Sequence, residues 1–184
     1  MKTTLLIVLT CFGWVSIGAA TPDSHRKKLT QPTVIQGYPC AKGYAFFYAD
    51  GKLDNCAVNQ ETQYGEALIP RVSIIYLKPD GSLWGVGLAH STRIHDVLCD
   101  GGGFLGPAEG SETAFYPSGK LHQCYLAKNQ VVQGVPCAQG GMLASLHGPD
   151  PGLYFHEDGR LRSCRLAEDF GGQKKNTIWK SAAK

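Results

Sequence analysis

The feature that most limits what this chain can fold into is a turn written four times. It reads Tyr48-Ala49-Asp50-Gly51-Lys52-Leu53, then Lys78-Pro79-Asp80-Gly81-Ser82-Leu83, Tyr116-Pro117-Ser118-Gly119-Lys120-Leu121, and His156-Glu157-Asp158-Gly159-Arg160-Leu161. In each copy a turn former precedes a glycine, a polar residue and a leucine. A hairpin closed by a type I turn with a left-handed fourth residue asks for this order, because glycine takes a positive φ at little steric cost. The flanks repeat with the turn. Phe47, Leu77, Phe115 and Phe155 stand four residues before the glycine, and Ala45, Ile75, Thr113 and Leu153 stand six before it. That alternation has the period of a strand with one face buried. Val58, Leu88, Leu126 and Leu166 follow seven residues after it.

Four units result, over 34–60, 62–90, 92–129 and 131–169, giving an all-β antiparallel meander of about eight strands. Ile35-Gln36-Gly37-Tyr38-Pro39-Cys40 is nearly restated as Val132-Gln133-Gly134-Val135-Pro136-Cys137, with an echo at Ile94-His95-Asp96-Val97-Leu98-Cys99. The leucine two places after the turn glycine and the cysteine five places after it cannot share a face on a regular strand. The second strand of each unit is therefore expected to carry an irregularity.

The repeat also narrows the cysteine pairing. Of seven cysteines, Cys11 lies in the leader described below, leaving Cys40, Cys56, Cys99, Cys124, Cys137 and Cys164. Six cysteines admit fifteen pairings in general. Units 1, 3 and 4 each have one cysteine before the hairpin and one just after its turn. Unit 2 lacks both, with Leu68 and Val86 read as the replacements. Loss of a matched pair within one unit is what bonds inside units predict, so the expected set is Cys40–Cys56, Cys99–Cys124 and Cys137–Cys164. Unit 2, with Ile74, Ile75, Leu83 and Trp84, is expected to replace its bridge with buried apolar side chains. No C-x-x-C pair is present, so metal binding through thiolates is not expected. No other metal site and no cofactor is assigned.

Outside the units, residues 1–20 read as a signal peptide. Lys2 opens an apolar run that ends at Gly18-Ala19-Ala20, small residues suited to cleavage. The run falls short of the about 20 residues of a membrane span. Residues 21–33 read as a polar lead-in. Residues 170–184 read as a flexible tail with Lys174, Lys175, Lys180 and Lys184 around Trp179, able to touch anionic surfaces. With 18 basic and 15 acidic residues the balance is close to neutral, which gives no support for nucleic-acid binding. Leader and even cysteine count together place the expected site of action outside the cell or in a periplasm.

The pattern of an aromatic, two residues, Gly-Lys-Leu and a short second strand, with Trp84-Gly85-Val86-Gly87, resembles the MORN-type β-hairpin repeats. It is most similar to the bacterial variants labelled as antitoxin components. The units are longer than theirs and carry cysteines. The resemblance implies a scaffold or interaction surface rather than an enzyme.

Units 3 and 4 carry the longest segments before their turns. Insertions at equivalent points of a repeat fall on one face, often the binding face. Phe104, Leu105, Met142, Leu143, His147 and Asp150 are the candidate binding-loop residues. His147, Asp150 and His156 form the nearest approach to a catalytic grouping, yet His156 holds the repeat position of Tyr48 and Tyr116, and no catalytic residue is assigned. The expected function is that of an exported, non-catalytic binding or scaffold protein for a protein or cell-surface polymer. The alternative is an exported inhibitor or immunity protein that neutralises a toxin or hydrolase.

Overall fold

The computed structural model describes residues 25–102, 113–140 and 150–182. Phe104, Leu105, Met142, Leu143 and His147 lie outside the described residues. Within them the chain is all-β, with seventeen strands and no helix, hence no helix able to cross a membrane. Strands β1 (His25–Leu29), β2 (Thr33–Ile35), β3 (Tyr38–Phe47) and β4 (Leu53–Val58) come first. They are followed by β5 (Thr62–Tyr64), β6 (Ala67–Ile69), β7 (Ile74–Leu77) and β8 (Leu83–Gly87). Next are β9 (Thr92–Ile94), β10 (Val97–Cys99), β11 (Thr113–Phe115) and β12 (Leu121–Cys124). The chain ends with β13 (Gln130–Val132), β14 (Val135–Cys137), β15 (Leu153–Phe155), β16 (Leu161–Arg165) and β17 (Ile178–Lys180).

One large antiparallel sheet of 11 strands runs in the order β1-β3-β4-β7-β8-β11-β12-β15-β16-β17, with β2 paired to β3. Its four central hairpins are closed by the repeated turn. In each, the glycine N–H donates to the carbonyl three residues earlier, and φ at Gly51, Gly81, Gly119 and Gly159 lies between 81° and 85°. Asp50, Asp80 and Asp158 each accept the N–H two residues on, which holds the turn from the side-chain end.

The expected irregularity is a β-bulge in each second strand. Phe47 faces Leu53 while its neighbour Phe46 faces Asn55, so Asp54 is the extra residue. Trp84, His122 and Arg162 are the extra residues of the other hairpins. The bulge lets the leucine and the later cysteine or valine both point inward. Leu53 with Cys56, Leu83 with Val86, Leu121 with Cys124, and Leu161 with Cys164 are all buried.

The strand count exceeds eight because a short ribbon precedes every long hairpin. β2 with the start of β3, β5 with β6, β9 with β10, and β13 with β14 pair in one register: Thr33 with Cys40, Thr62 with Ile69, Thr92 with Cys99, Gln130 with Cys137. Each ribbon closes in two residues. At Gln36-Gly37 and Gln133-Gly134 both residues have positive φ, the type I′ geometry that matches strand twist. Glutamine in that region is strained, but here its amide is put to use. The Oε1 atoms of Gln36 and Gln133 accept the N–H groups of Leu53 and Leu161 at 3.2 and 2.9 Å. Ribbon residues Ala67, Ile69, Ile94, Val97, Val132 and Val135 are buried and join the inward face of the large sheet in one core.

Disulfides fasten ribbons to sheet. Cys40–Cys56, Cys99–Cys124 and Cys137–Cys164 are bonded, each with a Cα separation of 5.7 Å. They are the pairs that the repeat assigns. The unit without a bridge requires a correction: the register puts Ile69, not Leu68, at the cysteine position. Ile69 is 1% exposed and Leu68 48%. Reading the gap one residue early moved the side chain to the opposite face, as a shift of one residue on a strand must. Trp84 likewise stands outside the core, because it follows the inward Leu83 along the strand, whereas Ile75 and Leu83 are buried.

Both flanking segments are strands. The lead-in supplies β1, whose exposed Arg26, Lys27 and Lys28 charge one edge of the sheet and discourage pairing with another chain. The segment expected to be a flexible tail instead supplies β17, paired with β16 so that Trp179 faces Cys164. Asp169 holds the approach by binding the Lys174 ammonium and the Lys175 N–H, and Trp179 packs against the core. Lysine spacing suggested a solvated end; the half-buried tryptophan and the unpaired edge of β16 outweigh it.

Candidate functional site

The inward face of the large sheet is covered by its own ribbons, so the side chains available to a partner are those of the outer face. Strand register joins one row of them across the molecule. Phe46, Asn55, Tyr76, Gly85 and Ala114 are successive partners, and Gln123, Tyr154, Ser163 and Lys180 continue the row. The bulged Asp54, Trp84, His122 and Arg162 lie beside it.

Two aromatic groups result. The Tyr76 and Trp84 rings are 5.6 Å apart. His122 sits between Tyr116 at 4.6 Å and Tyr154 at 6.4 Å. Gly85, which is buried, and Ala114 separate the groups. At the far end Arg26 lies 4.6 Å over the ring of Tyr44, a cation–π contact.

A groove of about 920 Å³ opens at the β15–β17 end, lined by His122, Tyr154, Arg162, Asp150, His156 and Trp179 among others. Asp150 is the one candidate loop residue that the structure describes. It accepts the Gly152 N–H at 2.9 Å and the Tyr154 hydroxyl. A side chain at position 152 would meet the Tyr154 ring at 2.7 Å, so glycine there lets the ring lie over the backbone. Burial first and the Asp150 carboxylate second push the Tyr154 phenol well above its ordinary pKa. His122 is held below the ordinary histidine range, chiefly by burial and also by the neighbouring Arg162 charge.

Asp150 and His156 both line the groove and are engaged with other groove residues, His156 with the Ser181 hydroxyl at 3.2 Å. A second cleft of about 520 Å³ includes Glu66, His95, Lys120 and Asp158, and His95 Nδ1 stands 3.2 Å from the Glu66 carboxylate. Among the described residues no three His, Cys, Asp or Glu side chains form a group that could hold a metal ion.

The outer aromatic residues are not those singled out from the sequence. Their signal is positional: the residue three places after each turn glycine is the bulged one, and the residue five places before it faces outward beside it. Comparison with protein-family models, curated proteins and solved structures finds no match for this chain.

Proposed function

We propose that this is an exported, non-catalytic binding protein whose working surface is the outer face of the large sheet. The single observation that carries the reading is the pair of aromatic groups, Tyr76–Trp84 and Tyr116–His122–Tyr154, standing half-exposed on a sheet braced by three disulfides. Rigid aromatic side chains present large contact area and lose little conformational freedom on binding. Bracing from behind keeps them in place, so a partner need not order the surface itself. The three disulfides suggest an oxidising environment, and the leader read at 1–20 supports secretion or a periplasmic location. The resemblance to MORN-type hairpin repeats points to the same class of role, a scaffold that engages a protein or a surface polymer.

The test is retention of the oxidised protein on purified cell-surface polymers and on extracellular protein fractions, repeated with Tyr76→Ala and Trp84→Ala. Retention that falls about tenfold or more in these variants supports the reading. Retention unaffected by any outer-face substitution overturns it. Stoichiometric inhibition of a toxin or hydrolase in the same fractions identifies the partner as an enzyme, and the role as that of an inhibitor or immunity protein.

A further inference from the structure

The groove at the β15–β17 end differs in charge from the rest of the outer face. Arg162, turned outward after the inward Leu161 in β16, has no carboxylate partner among the described residues, and neither has Lys180 across from Ser163. The other charges are already engaged: Arg160 with Asp158 at 2.7 Å, and Asp150 with the Tyr154 hydroxyl and the Gly152 N–H. The uncommitted charge of the groove is therefore positive. Beside it the Tyr154 ring is fixed at both ends, by its hydroxyl bond to Asp150 and by its seat over Gly152.

A ligand suited to this site is anionic and offers flat C–H faces to an aromatic ring. The groove, at about 920 Å³, has room for more than one linked ring. A guanidinium fork pairs with a carboxylate in two parallel hydrogen bonds, which fixes orientation as well as charge.

We propose that the groove binds an acidic polysaccharide, with a uronate carboxylate on Arg162 and a sugar ring against Tyr154. This rests on the outer face being the working surface, and it names the class of ligand that the face takes.

The test uses the full oxidised protein and four soluble probes: polygalacturonate, a neutral glucan of similar length, polyglutamate and polyphosphate. Calorimetry at low salt is expected to show binding to polygalacturonate at least tenfold tighter than to the other three. Arg162→Gln, an exposed substitution, is expected to weaken that binding tenfold or more. Equal binding of polyglutamate or polyphosphate would overturn the proposal in favour of bare charge attraction. Equal binding of the neutral glucan, or indifference to Arg162→Gln, overturns it too. If none of the four probes binds, yet retention of another partner still depends on Tyr76 and Trp84, the ligand class fails and the outer-face reading survives. If retention of every partner is indifferent to outer-face substitutions, the outer-face reading fails as well.

Discussion

The hydroxyl of Tyr48 donates to the main-chain oxygen of Leu77 at 2.6 Å, across 29 residues of chain. Tyr116, at the same repeat position, donates to Phe155 at 2.9 Å, and His156 reaches Ser181 at 3.2 Å. The residue that opens each of these turns thus fastens its hairpin to the strand beyond. Disulfides tie a ribbon to its own hairpin, whereas these contacts tie one hairpin to its neighbour.

Removing the hydroxyls tests that division. Tyr48→Phe and Tyr116→Phe are each expected to lower stability by about 1 kcal/mol, the usual net worth of a partly buried hydrogen bond. The two sites share no partner, so the double variant should lose about the sum. Urea unfolding of the oxidised protein measures it. A double variant as stable as the parent would mean that water replaces both hydroxyls without loss.

Two glycines meet where a ribbon turn rests on a hairpin turn. A Cβ on Gly119 would lie 2.7 Å from the Gly65 Cα, whereas a Cβ on Gly159, at nearly the same φ, would meet nothing within 4 Å. Alanine at either position incurs left-handed strain of about 1–2 kcal/mol. Gly119→Ala adds a collision between backbones that no rotamer change relieves. It is expected to cost at least about 1 kcal/mol more than Gly159→Ala. Equal unfolding midpoints for the two variants would show that the turns separate easily.

The long hairpins were legible because their signal is local. The turn needs glycine at one place, and the alternation around it specifies which face is inward. The bulge followed from two residues that had to share a face, and the disulfides from the unit that lacks both partners. The short ribbons escaped notice although Gln36-Gly37 and Gln133-Gly134 stand between apolar β-forming residues at the two-residue spacing of a type I′ turn. The ribbon register that separates Ile69 from Leu68 was lost with them. β1 and β17 were hidden for a different reason. His25–Leu29 and Ile178–Lys180 are polar or short, and what makes them strands is an unpaired neighbour supplied by distant sequence. Of the candidate site, Asp150 was found, but Trp84, His122 and Arg162 were not. Simple alternation turns the residue after each inward leucine outward; what it lacks is the register between strands that gathers these side chains into one row.

His122 supplies a pH dependence whose sign is set by its surroundings. Burial, then the charge of Arg162, lowers its pKa in the folded protein, so the unfolded chain binds a proton more readily. Its contribution to stability is present in full above the ordinary histidine range, about pH 6.5. It is lost as pH falls from there through the lower folded value, and levels off below that. His122→Gln should flatten this part of the stability–pH curve. Arg162→Gln should move the imidazole resonance, followed by NMR, back toward the ordinary pKa. A His122 titration indifferent to Arg162→Gln would leave burial as the whole cause.

The unit without a disulfide offers a test of the repeat at atomic level. Thr62 faces Ile69 as Thr92 faces Cys99, and Ile75 faces Val86 as Ala45 faces Cys56. Ile69 and Val86 are both buried, at 1% and 0% exposure, in the places of the missing cysteines. The double change Ile69→Cys and Val86→Cys should therefore form a fourth bond on oxidative refolding. The loop it closes is comparable to the 16-residue separation of Cys40–Cys56. Closing such a loop contributes about 3 kcal/mol through the unfolded chain. Losing a few buried methyl and methylene groups costs about 0.8 kcal/mol apiece. The balance is a gain of about 1 kcal/mol when oxidised and a clear loss when reduced. Peptide mapping without reductant, with unfolding measured in both states, checks both signs. Free thiols at 69 and 86 in the folded, oxidised protein would show that this ribbon lies over β8 differently from its counterparts.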